Sequence, residues 1–253
     1  MLTLADVVEA IQGVRPVDVP LGITEAAVDS RMVIPGGLFI ATRGERTDGH
    51  DFVSSAFQNG ANLALIERDV DASITVVDLR APVAAGFTFP AAPFALRVPD
   101  TILALQKIAA FWRRRFNVRV IGITGSVGKS TTKELVAEIL SQRYRTLKNQ
   151  GNYNNEIGLP LTLLRLGPGY ERVVLEMGFY EPGDIELLCN IAQPQVGILT
   201  NIGTVHASRS KSQEAIARGK SELVQALPPF PVGTAILNKD DPLIAAMHEL
   251  TNA

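Results

Sequence analysis

The stretch from Gly122 to Glu134 reads GITGSVGKSTTKE, and its residue types and spacing suit the binding of nucleotide phosphates. Gly125 and Gly128 carry no side chain, so backbone N–H groups can close around phosphate oxygens. Lys129 has the charge and length to reach the β- and γ-phosphates, and a hydroxyl at the position of Ser130 is a Mg²⁺ ligand in such loops. The motif predicts ATP and Mg²⁺ as ligands.

This phosphate loop (residues 124–131) departs from the general pattern at one position. The pattern G-x-x-x-x-G-K-[ST] requires glycine where the chain has Ile123. The segment matches the shorter form T-G-S-x-G-K-[ST], so we include Thr124, Ser126 and Thr131 in the predicted nucleotide site. The alternative is a glycine-rich turn that only joins a strand to a helix.

Further polar side chains follow other apolar runs. Glu176 ends the run VVLEMG, where a buried carboxylate is costly without a partner and a metal ion is a natural one. Asn154 and Asn155 lie in NQGNYNNEIGLP, the asparagine loop (residues 149–160), although asparagines also suit a plain loop. His206 ends TNIGTVH and is expected at the same sheet edge, although a lone histidine is more often structural.

Two later features are ambiguous when taken alone. Lys220 lies in the helical stretch QEAIARGKSELVQAL, where a solvated lysine is the simplest interpretation. The segment LNKDDP places Asn238 and Asp241 just beyond a strand, where an amide can meet the adenine or ribose. A β-turn before a helix is the alternative there.

The elements that must position these residues alternate along the second part of the chain. Helical segments separate the strand-like runs VRVIGIT, RTLKN, RVVLEMG, VGILTNIG and TAILN. Such alternation predicts an α/β fold with a mostly parallel sheet, whose ligands gather at the carboxyl ends of the strands. We therefore predict a P-loop-type ATPase domain over residues 99–253.

The first part of the chain predicts a smaller α/β domain over residues 1–98. LTLADVVEAIQG predicts a helix capped by Thr3 and closed by Gly13. LFIAT and LALIE flank the helical DFVSSAFQNGA, so a βαβ unit is expected. Residues 81–95 are rich in proline and alanine and predict a linker or an excursion, and we place the boundary near Pro99.

Bulk properties narrow the class of protein. A chain of 253 residues can form two domains, and its net charge of −2 gives no electrostatic reason to expect nucleic-acid binding. We find no secretory leader and no apolar run long enough to cross a bilayer. A cytoplasmic monomer without membrane insertion is expected.

Taken in order, the motifs resemble the Mur ligase family, most closely the branch that adds D-alanyl-D-alanine to UDP-N-acetylmuramoyl-tripeptide. The segment DSRMVIPGGLFIATRGERTDGHDF is similar to the part of the family that holds the uridine nucleotide. TGSVGKSTTKE and NYNNEIGLP favour this branch over a related one that carries TGTNGKT. The uridine-nucleotide residues implied by the resemblance are Asp29, Ser30, Arg31, Gly44, Asp48, Gly49 and His50.

The resemblance also implies roles and a reaction. Lys129 would hold ATP phosphates, Glu176 and Ser130 would bind Mg²⁺, and His206 would serve a second Mg²⁺. Lys220 would be the lysine that is carbamylated to become a metal ligand. Asn238 would contact the nucleotide base, and the asparagine loop would position the muramoyl substrate through Asn154 and Asn155. The γ-phosphoryl group would pass to a substrate carboxylate, and the dipeptide amine would attack the resulting acyl phosphate.

Two departures from the family pattern modify these expectations. Ser208 stands in HASRSKS where the family carries an acidic residue, which predicts a weakened second metal site. The chain ends at Ala253, before the expected end of the central domain and before a C-terminal domain, which predicts an incomplete reaction and an exposed sheet edge. A folylpolyglutamate synthetase and a non-catalytic nucleotide-binding remnant are the alternatives.

Overall fold

The protein is described by a computed structural model that covers residues 1–17, 19–44, 47–84, 86–203 and 212–253. It divides into two compact units, Met1–Trp112 and Arg113–Ala253. Each unit contains a five-stranded sheet with helices. The predicted α/β class is confirmed.

The first unit is built on a fully parallel sheet with the order β3-β4-β5-β7-β6. The strands of the sheet are β3 (Ala26–Ala27), β4 (Leu38–Ile40), β5 (Leu63–Ile66), β6 (Val76–Asp78) and β7 (Phe94–Arg97). A separate antiparallel pair is formed by β1 (Leu2–Thr3) and β2 (Gly22–Ile23). Its helices are α1 (Leu4–Gln12), α2 (Val53–Gln58) and α3 (Thr101–Arg114), the last of which crosses the division between the units. All four residues of β5 are buried, as expected for a central parallel strand covered on both faces.

Two local predictions for this unit are confirmed. Thr3 caps α1 through a capping box with Asp6, and Gly13 ends the helix at φ +76°. In the chain, α2 lies between β4 and β5, and these two strands pair in parallel, so the predicted βαβ unit is present.

The division between the units falls one helix later than the boundary predicted near Pro99. Thr101, at the start of α3, donates its hydroxyl to Ala41 O at 2.9 Å and its backbone N–H to Glu67 Oε2 at 3.1 Å. These bonds attach the beginning of α3 to the first unit. The proline- and alanine-rich composition of residues 81–95 indicates a nearby domain boundary, but it does not indicate that the start of α3 is bonded to the first unit.

The second unit carries a parallel sheet with the order β12-β11-β8-β10-β9. Its strands are β8 (Arg119–Thr124), β9 (Thr146–Lys148), β10 (Arg172–Glu176), β11 (Val196–Leu199) and β12 (Thr234–Leu237). Its helices are α4 (Lys129–Ser141), α5 (Gly158–Leu164), α6 (Asp184–Ala192), α7 (Gln213–Gln225) and α8 (Pro242–Ala245). None of the helices in the described ranges combines the length and apolarity needed to cross a bilayer.

The strand order places the phosphate loop at the centre of this sheet. β8 lies between β10 and β11, with Glu176 beside Ile123 and Leu199 beside Thr124. The chain leaves β8 toward one side of the sheet and later returns to the other, so the end of β8 is a topological switch point. The loops after β8, β9, β10, β11 and β12 therefore meet at one edge.

Gly219 in α7 lies at a closely packed position of this unit. A methyl group at Gly219 would overlap the ring of Phe179, whereas one at Gly167 would meet no heavy atom within 4 Å. We expect Gly219→Ala to lower the free energy of unfolding, because overpacking costs about 1–3 kcal/mol and the gain in helix propensity is at most about 1 kcal/mol. Denaturant unfolding followed by circular dichroism measures both variants. The control is Gly167→Ala. If Gly219→Ala has the same free energy of unfolding as this control, with no loss relative to wild type, the close packing at Gly219 is contradicted.

Candidate active site

The phosphate loop has the backbone geometry of an anion site. Gly125 and Gly128 adopt φ values of +145° and +86°, which side chains disfavour. The first helical bond of α4 runs from Thr132 N to Gly128 O. The N–H groups of residues 129–131 therefore have no acceptor within the helix, and they lie at its positive dipole end.

The loop after β11, the TNIG loop (residues 200–203), clamps the tip of the phosphate loop. Asn201 O accepts from Ser126 N at 2.9 Å, and Asn201 Oδ1 accepts from Val127 N at 2.9 Å. Thr200 Oγ1 donates to Val127 O at 2.7 Å. A side chain at Gly125 would overlap Thr200 Oγ1, so glycine is required by close packing as well as by φ. Sequence reasoning noted this segment for His206 and missed the clamp.

Two lysines converge on one carbonyl group of the phosphate loop. Lys129 Nζ donates to Gly125 O at 3.0 Å, and Lys220 Nζ donates to the same oxygen at 2.9 Å. Lys220 is only 2% exposed, and its Nζ lies 4.9 Å from the centre of the Phe179 ring. The interpretation of Lys220 as a solvated helix lysine is therefore wrong.

The surroundings of Lys220 disfavour its positive charge. Burial lowers the pKa of Lys220 to about 7, and the nearby Lys129 ammonium acts in the same direction. An amine with such a pKa is partly neutral near pH 7. The site thus contains a lysine nitrogen whose charge depends on its immediate partners.

Glu176 joins the phosphate loop to the asparagine loop. Its carboxylate is buried, and Oε2 accepts from Ser130 Oγ at 2.7 Å while Oε1 accepts from Asn154 Nδ2 at 2.8 Å. None of the ion pairs formed by the described residues includes Glu176. The sequence placed these three residues at one sheet edge, and the structure brings their side chains into contact.

The donor set at Glu176 fits Mg²⁺. A buried carboxylate held only by neutral donors lacks a cation, and the Ser130 hydroxyl supplies a second oxygen beside it. The described ranges contain no group of three or more histidine, cysteine or acidic residues that could hold a metal ion. Mg²⁺ suits such a sparse site, because it commonly uses one or two protein oxygens together with water and phosphate oxygens.

The two asparagines assigned to substrate have different surroundings. Asn154 contacts the Glu176 carboxylate as described. Asn155 Oδ1 instead accepts from Gly158 N at 2.8 Å, at the start of α5. In this geometry Asn155 orders the asparagine loop, and only Asn154 reaches the carboxylate of the site.

Several residues assigned to the nucleotide are bonded within the protein. Thr124 is buried and donates to Met177 O at 3.1 Å. Asp241 accepts from Ile202 N at 2.6 Å and also caps α8. Both side chains are thus bonded within the protein, and their contact with a nucleotide stays a prediction.

The remaining predicted nucleotide residues are placed as follows. Asn238 Nδ2 donates to Thr200 O at 2.8 Å, which joins the end of β12 to the TNIG loop. Contact of Asn238 with a base stays a prediction. Ser126 is buried against Gly203, and Thr131 is exposed in the first turn of α4.

The first predicted uridine segment forms a small capped turn. Asp29 caps a 3-10 turn at Ser30–Met32 and pairs with Arg31 at 2.7 Å. The Arg31 side chain is exposed, whereas Ser30 is buried. Asp29 and Arg31 therefore present one charged pair at the surface, and their contact with substrate stays a prediction.

The second predicted uridine segment contains a buried histidine. His50 Nε2 accepts from Glu67 N at 3.0 Å, so Nδ1 carries the proton and donates to Asp48 Oδ1 at 2.6 Å. The ring is buried and both of its nitrogens are bonded within the protein, and a contact of His50 with substrate stays a prediction. Gly44 and Gly49 donate their N–H groups to nearby backbone carbonyls in the same turn region.

Asp48 is the charged centre of that turn. Burial opposes its ionisation, but hydrogen bonds from His50 and from Arg68 outweigh the burial and hold the pKa of Asp48 below its usual range. Arg68 Nε lies 2.8 Å from Asp48 Oδ2. The carboxylate therefore stabilises the turn, and a role in substrate binding stays a prediction.

His206 and Ser208 lie outside the described residues, as does most of HASRSKS. The predicted second metal site and its weakening by Ser208 stay predictions.

Comparison with known proteins gives two family matches. A model described as Mur ligase middle domain matches residues 123–253, and one described as Mur ligase family, catalytic domain, matches residues 23–113. A UDP-N-acetylmuramoyl-tripeptide–D-alanyl-D-alanine ligase from Synechocystis sp. is 43% identical over 222 residues, which cover 88% of this chain and 45% of that protein.

Solved structures agree with these matches. MurF from Acinetobacter baumannii has a TM-score of 0.80 at 33% identity, over 97% of this chain and 51% of that one. MurF ligase from Thermotoga maritima in complex with ADP has a TM-score of 0.75 at 33% identity, over 90% and 49% of the two chains. The chain spans about half the length of the relatives that it matches.

The lowered pKa of Lys220 predicts a pH dependence of stability. Between about pH 7 and pH 10.5 the unfolded lysine keeps a proton that the folded lysine has lost, so unfolding takes up a proton. The free energy of unfolding of the wild type should therefore rise with pH in this window relative to that of Lys220→Met. Below about pH 7 both states hold the proton, and the destabilisation by the buried charge is fully present.

Denaturant unfolding in CO₂-free buffers, which keep the amine unmodified, measures this difference. The exposed Lys107 provides the control, since Lys107→Met should follow the wild-type pH profile. Parallel profiles for wild type and Lys220→Met would contradict a lowered pKa.

Proposed function

Because the chain belongs to the Mur ligase family and matches its N-terminal and middle domains, we propose that it forms the substrate-binding and ATP-binding parts of a peptidoglycan ligase. The resemblance predicted from the motifs is thereby confirmed. The proposed ligase adds D-alanyl-D-alanine to UDP-N-acetylmuramoyl-tripeptide, the activity named for its Synechocystis relative.

The observation that carries this proposal is the position of the Glu176 carboxylate. It contacts Ser130 of the phosphate loop with one oxygen and Asn154 of the asparagine loop with the other. A phosphoryl donor held by the first loop and a carboxylate acceptor held by the second would therefore meet beside Glu176. Such convergence is what phosphoryl transfer requires, because positioning and electrostatics supply most of its acceleration.

The proposed reaction needs no nucleophile from the protein. An oxygen of the acceptor carboxylate attacks the γ-phosphorus of ATP, which forms an acyl phosphate and releases ADP. The amine of D-alanyl-D-alanine then attacks the acyl carbon, and the amide forms as inorganic phosphate leaves and the nitrogen loses a proton. Lys129 and the free N–H groups at the start of α4 would stabilise negative charge on the phosphates.

Ser130 and Glu176 are the described residues that would hold Mg²⁺. The ion would neutralise charge on the nucleotide phosphates. Ser130 is also the second residue of α4, so its hydroxyl and the helix N-terminus would act on the same phosphate group.

We propose that Lys220 is carbamylated, which is supported by its burial beside Lys129. A partly neutral amine can attack CO₂, which forms a carbamate and releases a proton. The carbamate would replace like-charge repulsion between Lys220 and Lys129 with attraction, and it would add an oxygen ligand for a metal ion. This supports the role that the family resemblance implied for Lys220.

Nucleotide binding tests the phosphate loop. We expect Lys129→Ala to weaken ADP binding by about 10- to 100-fold, because a charge-assisted hydrogen bond contributes about 1.5–3 kcal/mol. Isothermal titration calorimetry measures the affinity, and the exposed Lys107 supplies the matched control Lys107→Ala. Equal affinities of Lys129→Ala and wild type would remove the assignment of this loop.

Phosphate release tests the complete reaction. We expect a protein that joins this chain to the C-terminal half present in its relatives to release phosphate from ATP only with both UDP-N-acetylmuramoyl-tripeptide and D-alanyl-D-alanine. The reason is that the acyl phosphate needs the first compound, and its breakdown to amide needs the second. Release driven by folate substrates would favour a folylpolyglutamate synthetase, and no release under any condition would favour a non-catalytic protein.

A further inference from the structure

Lys133 is a buried cation that the proposed chemistry does not use. It is 2% exposed, and its Nζ donates to Asn149 O at 2.9 Å and lies 3.0 Å from Glu134 Oε1. A buried ammonium group is costly unless it is paired and hydrogen-bonded, so the position of Lys133 depends on its bond to Asn149 and its ion pair with Glu134. Lys133 lies one turn beyond Lys129 on α4 and thus connects the phosphate-loop helix to the start of the asparagine loop.

Asn149 has a fully buried side chain that pairs with the backbone of Glu176. Its Oδ1 accepts from Glu176 N at 3.0 Å, and its Nδ2 donates to Glu176 O at 2.9 Å. A side-chain amide has a donor and an acceptor arranged like those of a peptide group. Asn149 therefore continues the pairing of β9 with β10 beyond the last backbone pair, Lys148 with Val174.

The same amide also holds the loop that carries Asn154. Asn149 Nδ2 donates to Tyr153 O at 2.8 Å, and the next residue, Asn154, donates to the Glu176 carboxylate. One buried side chain thus sets both the backbone of Glu176 and the partner of its carboxylate. A shift of Asn149 would move the carboxylate relative to Ser130.

We propose that Lys133 and Asn149 are positioning residues that hold the Glu176 carboxylate beside Ser130 and thereby control the Mg²⁺-dependent part of nucleotide binding. Lys133 fixes the backbone of Asn149 from α4, and Asn149 fixes Glu176 and the asparagine loop. The inference rests on the proposed function, because it assigns Mg²⁺ to Ser130 and Glu176. A purely structural role would instead change nucleotide binding equally with and without the metal.

Calorimetric titration of the 253-residue chain with ADP tests this inference, once with MgCl₂ and once with EDTA. Lys133→Met keeps the length of the side chain but removes the donor to Asn149. We expect it to weaken ADP binding about tenfold in MgCl₂ and to leave the affinity in EDTA within about twofold of wild type. Lys133→Arg keeps a charged donor and should retain more of the Mg²⁺ effect than Lys133→Met.

Lys148 offers a matched control. Its ammonium group pairs with the other oxygen of Glu134, whereas the bond to Asn149 O comes from Lys133, so Lys148→Met removes one cation from the same carboxylate and leaves that bond in place. We expect Lys148→Met to keep the wild-type Mg²⁺ effect. Asn149→Asp is a second variant for the case that Lys133→Met does not fold, since it keeps the volume and an acceptor but removes the amide donors. It should lose the Mg²⁺ effect in the same way.

The outcomes separate this inference from the proposed function. If wild type binds no ADP with or without Mg²⁺, the proposed function fails. If wild type binds with a clear Mg²⁺ effect, and Lys133→Met and Asn149→Asp keep that effect or lose affinity equally in both buffers, the positioning role is overturned. A selective loss of the Mg²⁺ effect, absent in Lys148→Met, supports it.

Discussion

The second unit depends on one crowded point, the carbonyl oxygen of Gly125, where the ammonium groups of Lys129 and Lys220 converge. The two amino groups approach this oxygen from α4 and α7, and only a glycine at this position leaves room for Thr200. Because Lys220 is buried beside Lys129, the site favours the neutral form of its amine. The phosphate loop therefore contacts a lysine of α7, a helix that begins well after the loop in the chain.

The Glu176 carboxylate joins the phosphate loop to the asparagine loop. Ser130 and Asn154 each use one of its oxygens, so neither loop can move far without disturbing a buried negative charge. Parallel strands make this arrangement possible, since β8 and β10 end side by side and deliver their loops to one edge. The TNIG loop completes the site from β11 by bonding the backbone of Ser126 and Val127.

Local backbone geometry at the candidate site follows from the sequence, whereas the surroundings of its side chains do not. The positive φ values of Gly125 and Gly128 follow from the motif, because only glycine tolerates them easily. The burial of Lys220 and the internal bonding of His50 do not. Asn149 was visible only as one of several asparagines after a strand, and nothing in its residue type distinguished it from a loop residue.

The sequence by itself determined the phosphate loop, the α/β class with its parallel sheet, the capped first helix and the family, since each of these leaves a pattern in residues close together in the chain. The tertiary structure decided which of the described side chains are buried and bonded within the protein and which stay exposed. Lys220 and Gly125 are 95 positions apart, and no local pattern records that their atoms meet. The physical reason is that burial and hydrogen-bond partners are set by packing between distant segments, and these set the charge and availability of each group.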